Sequence, residues 1–131
     1  MRSPSRPDES GSAAGVLAEG VAAVLRDERV RRLAHVAALQ RTLADLVAAA
    51  ETSNADDEHD PEGATIAFER SQLSAQLDAA QAALDEVAHA LDRVRDGSYG
   101  ICRVCGRPIA AARLGARPTA TACVTCALIR R

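Results

Sequence analysis

Two Cys-x-x-Cys pairs restrict what this chain can fold into more than any other feature of its 131 residues: Cys102 with Cys105, and Cys123 with Cys126, separated by residues 106–122. They account for all 4 cysteines. The spacing lies inside the window of a four-cysteine zinc site. Each Cys-x-x-Cys turn brings two thiolates to one side of a tight loop. Gly106, directly after the second thiolate, permits the backbone turn that aims amides at sulfur. Zinc takes four such sulfurs tetrahedrally at about 2.3 Å, and four protein ligands leave no position for water, so one zinc held this way is structural rather than catalytic. Two redox pairs or two disulfides are the competing reading. A redox Cys-x-x-Cys sits at a helix start after a strand of a larger α/β domain, and nothing in this sequence suggests that domain. A reducing cytosol also favours metal ligation over disulfides. A patch of about 30 residues with few large apolar side chains needs such a staple to fold.

Upstream of the cysteines the chain reads as helix. Aromatic residues make up only 2% and Trp is absent, so the thick core that large rings normally build is not available. The apolar residues are mostly Ala, Leu and Val with charges between them, the composition of long helices. Residues 1–12, rich in Pro, Ser, Gly and charge, are expected to form a disordered tail. A first helix is expected from about Val16 to Ser53, weakened near its start by Gly20. A second opens at Asp60-Pro61-Glu62, where Asp60 suits the N-cap, Pro61 the first helical position and Glu62 the positive end of the dipole. It closes near Asp96, with Arg93 and Arg95 in the last turn and Gly97 free to take the left-handed conformation.

The second helix carries a seam. Ile66, Leu73, Leu77, Ala80, Leu84, Val87, Leu91 and Val94 fall on alternating three- and four-residue steps, with Arg70 in the one gap, which is a heptad pattern. The first helix repeats it at Val36, Leu39, Leu43, Leu46 and Ala50. Folding back at the acidic link 54–60 sets Ala50 against Ile66, Leu43 against Leu73, Leu39 against Leu77 and Val36 against Ala80. The paired numbers have a constant sum, as an antiparallel hairpin requires. Farther upstream Arg29 and Arg32 fall on the seam while Val30 and Leu33 offer a shifted stripe, so a stutter is expected there. The expected fold class is mainly α. A long antiparallel coiled-coil hairpin spans 13–97, with an acidic tip at 54–64, and a four-cysteine zinc finger with a short C-terminal helix follows over 98–131. Two helices of this length, rising 1.5 Å per residue, make a rod of about 50 Å. One chain completes the hairpin, so a monomer is expected.

Charge excludes little by itself, since the formal net charge is -2. Its distribution says more. From Cys102 onward the chain has Arg103, Arg107, Arg113, Arg117, Arg130 and Arg131 and no acid. Such a face can meet phosphate, nucleic acid or an acidic protein surface, or simply be solvated. The link is the opposite, with Asp56, Asp57, Glu58, Asp60 and Glu62 around His59, a set that can bind a cation but is more often a solvated loop. His35 and His89 lie on helices without partner motifs. No nucleophile–base pattern, glycine-rich phosphate loop or catalytic zinc motif is present, and no enzyme is expected. The first residues lack the apolar region of a signal peptide. No stretch approaches the ~20 apolar residues of a membrane span, so the expected location is cytoplasmic, with no membrane partner.

The finger segment reads Tyr99-Gly-Ile-Cys-x-x-Cys-Gly-x-Pro-Ile, then Ala112-Arg-Leu-x-Ala-Arg-Pro-Thr-Ala-x-x-Cys-x-x-Cys. In this it resembles the DksA/TraR family of bacterial transcription regulators, whose zinc finger it matches almost throughout. The long helical hairpin before the finger is also a family feature. The resemblance implies a protein that binds RNA polymerase, with the hairpin entering the secondary channel and its tip approaching the catalytic magnesium. Direct binding to promoter DNA is not implied. The family's tip motif, Asp-x-x-Asp-x-Ala, falls without gaps on His59-Asp-Pro-Glu62-Gly-Ala64. There Ala64 matches, Glu62 keeps the second carboxylate and His59 replaces the first; a reading shifted to Asp57 and Asp60 recovers both carboxylates and loses the Ala. The tip residues implied as partner-binding are Asp57, His59, Asp60, Glu62 and Ala64, and Arg113 and Arg117 are expected on a partner-binding basic face. Two other functions compete: a nucleic-acid-binding finger using the arginines, and a coiled-coil interaction scaffold with the finger as an end plug.

Overall fold

The structure, a computed structural model, describes residues 9–53 and 61–129, with side chains from 18 to 52 and from 63 to 129. Four helices follow one another: α1 (Glu9–Ser53), α2 (Pro61–Asp96), α3 (Ala111–Ala116) and α4 (Val124–Ile129). No strand occurs among the described residues; one isolated antiparallel bridge joins Ile101 and Pro108. No helix is long and apolar enough to cross a membrane among those residues. The mainly helical fold expected from the heptads is the fold observed. α2 starts at Pro61 and ends at Asp96, where the proline and glycine signals put it. α1 begins at Glu9, earlier than the Val16 expected, so residues 9–12 of the expected tail are helical. The Ala-rich stretch beyond them has enough helix propensity to carry the helix backwards. α3 was not anticipated: its six residues contain Gly115, and no hydrophobic period can be read in so short a segment.

The chain divides into two compact units, one made of Met1–Glu28 with Val87–Arg131 and the other of Arg29–Glu86. In the second unit Val36, Leu39 and Ala80 are buried, with Leu73, Leu77 and Leu84 packed against them. Leu39 therefore shares a cluster with Leu77, and Val36 with Ala80, as the fold-back register requires. Arg70, in the gap of the heptad, is exposed. In the first unit Leu25, Val87 and Ala90 form a fully buried cluster, flanked by Val21, Leu91, Val94 and Tyr99.

The stutter in α1 is real, but it does not run as expected. The inward stripe runs through 18, 21, 25, 28, 32, 36, 39, 43, 46 and 50, with 22, 37 and 47 half-buried beside it, so two four-residue steps follow each other at 28, 32 and 36. That is the signature of an inserted four-residue step. Glu28 and Arg32 occupy the inward positions. Arg29 is exposed, and the apolar Val30 and Leu33 face solvent at 66% and 44% exposure. A long arginine stem can cover apolar surface while its charged head finds polar partners, so helix periodicity prevails over side-chain polarity here.

α2 ends in a Schellman motif. Gly97 has φ +81°, and the Ser98 amide donates to the Arg93 carbonyl at 3.0 Å. The Ser98 amide also lies 2.9 Å from Asp96 Oδ1, and the Ser98 hydroxyl donates to the same oxygen. These bonds from Ser98 hold the Asp96 carboxyl below its usual range. The chain is thereby turned sharply out of the helix and into the cysteine segment.

Candidate metal centre

The first Cys-x-x-Cys is a knuckle between two short extended pieces. The Cys102 amide donates to the Arg107 carbonyl at 2.8 Å, the Gly106 amide to the Cys102 carbonyl at 2.9 Å, and the Ile109 amide to the Gly100 carbonyl at 2.7 Å. Gly106 takes φ +73°, a conformation that side chains with a Cβ rarely adopt, which bears out its reading as the residue that closes the turn. The second pair lies at the start of α4, where the Ala127 amide donates to the Cys123 carbonyl at 2.9 Å. One backbone bond, from the Arg103 amide to the Thr121 carbonyl at 2.9 Å, ties the two halves together.

This arrangement brings the four sulfurs within 4.8 Å of one another. Cys105 Sγ and Cys123 Sγ are 3.9 Å apart. A tetrahedron with zinc–sulfur bonds of about 2.3 Å has edges of about 3.8 Å, so the cluster has the size zinc requires. A disulfide needs about 2.05 Å between sulfurs, and all four cysteines are free thiols. Cys102 and Cys126 are buried, Cys123 is half-buried and Cys105 is exposed. Ile109 completes the buried cluster, with Leu114 and Ala122 against it.

Electrostatics point the same way. Amides of Cys105 and Cys123 aimed at the sulfur hold the Cys102 thiol down to about 6. The Cys126 thiol is pushed up to about 12, first by its hydrogen bond with Cys123 and then by burial. Four thiols this close cannot all ionise without a cation among them, and a divalent soft-ligand ion supplies that charge. The donor set, its size and its four-fold closure fit one structural zinc ion with no open coordination position.

The surroundings of the centre add residues whose roles were not read from the sequence. The Tyr99 hydroxyl donates to the Pro118 carbonyl at 2.7 Å while its ring packs on the Leu25–Val87–Ala90 cluster. Arg93, expected only in the last turn of the second helix, is buried and reaches the Thr119 carbonyl at 3.5 Å. Burial, and then nearby Arg103, lower its pKa. A lone tyrosine in a chain so poor in rings was the one signal that could have marked Tyr99.

Of the sequence-derived partner residues, the structure describes Arg113, Arg117 and Ala64 with their side chains. Arg117 is exposed, as expected of a basic face. Arg113 is half-buried and its Nε donates to the Ala122 carbonyl at 2.8 Å, so it braces the residue that precedes Cys123. Ala64 is exposed on α2. Asp57, His59 and Asp60 lie outside the described residues, as does the side chain of Glu62.

Comparison with known proteins adds to this geometry. Residues 97–130 match the prokaryotic dksA/traR C4-type zinc finger. A protein of Caulobacter vibrioides named RNA polymerase-binding transcription factor DksA is 58% identical over 38 residues, which is 29% of this chain and 27% of that protein. An uncharacterized protein of Aquifex aeolicus is 44% identical over 46 residues, 35% of this chain and 32% of that one. The matched segment thus spans about a third or less of these curated relatives. The likeness in structure is far more extensive. Transcription factor DksA2 from Pseudomonas aeruginosa superposes with a TM-score of 0.74 at 25% identity, over 95% of this chain and 90% of that one.

Proposed function

Because this chain belongs to the DksA/TraR family of C4-type zinc finger proteins, we propose that it is a transcription regulator that acts by binding RNA polymerase. One observation carries the reading: the likeness to a transcription factor extends through both long helices as well as the finger. A nucleic-acid-binding finger needs no helices of 45 and 36 residues in front of it. In this reading the protein is a binding factor rather than an enzyme. Zinc held by Cys102, Cys105, Cys123 and Cys126 fixes the finger and takes no part in chemistry.

The finer mechanism assigns the two ends of the charge distribution to two tasks. The link between α1 and α2 enters the secondary channel of the polymerase. Its acids, Asp57, Asp60 and Glu62, with His59 and Ala64, approach a site that holds magnesium. A carboxylate near bound magnesium competes for, or repositions, its ligands. Five carboxylates on one short segment repel each other in the free protein, and a cationic target relieves that repulsion. The arginines of the finger supply affinity.

Two measurements separate these tasks. Replacing Asp60→Asn together with Glu62→Gln is expected to leave binding to purified core polymerase nearly unchanged and to abolish the effect on transcription in vitro. Arg117→Ala is expected to weaken binding and flatten its salt dependence; Arg113 is a poorer choice because its Nε holds the Ala122 carbonyl. Failure of the wild-type protein to bind core polymerase defeats the reading, and a tip variant that regulates as well as wild type defeats the channel mechanism.

A further inference from the structure

The first unit holds a cavity that its core does not fill. It has a volume of about 480 Å³ and is lined by Val21 and Val24 of α1, by Leu114 and Pro118 from α3 and the turn after it, and by Tyr99. All of these residues belong to the same compact unit. Val21 and Tyr99 also pack on the Leu25–Val87–Ala90 cluster, so the cavity adjoins the core. Val24, next to the fully buried Leu25, is 51% exposed. A volume of this size lies within the range of about 300–1,000 Å³ that small-molecule sites occupy.

Two glycines also line the cavity, Gly20 from α1 and Gly115 from α3. Neither has a backbone reason to be glycine. The glycines with positive φ are Gly97, Gly100 and Gly106. Neither has a packing reason, because a Cβ at either position would meet nothing within 4 Å outside its own helix. Glycine inside a helix is less stable than alanine, and alanine is the neighbour at 22, 23 and 116. What the two glycines do achieve is open space between α1 and α3.

The lining also states what that space can hold. No charged side chain is among the described residues that form it. Its one polar side chain is that of Tyr99, whose hydroxyl is committed to the Pro118 carbonyl at 2.7 Å. A phosphate or a carboxylate would find no cation there. The cavity offers apolar contact alone, and each methylene buried against it adds affinity. We infer that this cavity between α1 and α3 is a binding site for a small neutral molecule with an alkyl chain. The inference does not rest on the polymerase reading, and it uses neither the acidic link nor the metal ligands.

The test uses the full, zinc-loaded chain and straight-chain alcohols, which are optically silent. Tyr99 is the one tyrosine and lines the cavity, so its emission reports occupancy in the unlabelled protein. From 1-hexanol to 1-octanol the response is expected to saturate, with affinity rising roughly fourfold per added methylene. Gly115→Leu places an alkyl group in the open space and should weaken 1-octanol binding on the order of tenfold or more. The same change favours helix, so the variant should melt no lower than wild type and keep one zinc per chain. Should it lose zinc, Gly20→Leu carries the comparison from the other helix. A response that rises linearly without saturating, or that is the same in wild type and the filled variants, overturns the site. If the alcohols fail to bind while Gly115→Leu weakens polymerase binding or self-association, the cavity takes a protein side chain and the small-molecule inference is refuted.

Discussion

The Tyr99 hydroxyl reaches the Pro118 carbonyl at 2.7 Å while its ring lies against Leu25, Val87 and Ala90. One side chain thus joins the finger to the helical core of its unit. Tyr99→Phe keeps the ring and removes the bond, and should cost about 1 kcal/mol in denaturant unfolding. Burial raises the Tyr99 phenol above its ordinary value of 10.0, outweighing the lowering by Arg93. A raised folded-state pKa contributes stability that is full below the unfolded value and is lost as pH rises through the folded one. Wild type should therefore lose stability in the alkaline range above about pH 10, and the phenylalanine variant should lose less. Equal alkaline losses in the two proteins would refute this. The cysteines were legible from spacing alone, because metal geometry leaves few ways to write a four-sulfur site. Tyr99, Arg93 and Arg113 were not, because each works through a carbonyl far away in sequence, and a carbonyl leaves no mark on residue type.

At the level of helices, the seam of α2 and the later part of α1 could be read almost residue by residue, since heptad spacing converts directly into a buried face. Leu39 is only 9% exposed and clusters with Val36 and Ala80. Leu39→Asp places an unpaired charge there and should cost several kcal/mol. Thermal unfolding by circular dichroism checks it, and a change within about 0.5 kcal/mol, the range of ordinary surface substitutions, would show that this seam is not core. The region of α1 around Glu28 and Arg32 was harder to read. There polarity and periodicity disagree, and the sequence offered two registers. The structure takes neither in full: it keeps Arg32 inward, sets Glu28 instead of Arg29 on the inward face before it, and leaves Val30 and Leu33 outside. α3 stayed hidden because a six-residue helix is held by its tertiary setting and has too few turns to show a period.

In the whole molecule, the two units keep separate cores: the Val36–Leu39–Ala80 cluster contains no residue of the finger. Structural zinc contributes on the order of 10–16 kcal/mol in zinc-finger peptides, and that binding energy is folding energy. Cys123→Ser, or a chelator, should therefore unfold the finger and spare most of the helicity. The finger helices have 6 residues each, against 45 and 36 in α1 and α2. Elemental analysis of the purified chain should give one zinc per molecule, with none in the serine variant. Far-ultraviolet ellipticity that collapses together with zinc loss would show that the helices depend on the finger. The scarcity of rings has a practical consequence for such work. The chain holds one Tyr, one Phe and no Trp; Phe68 belongs to one unit, and Tyr99, bonded to the finger, to the other. Tyrosine emission and phenolate absorbance thus arise from a single ring at the finger junction, so metal removal and alkali can each be followed optically in the isolated, unlabelled protein.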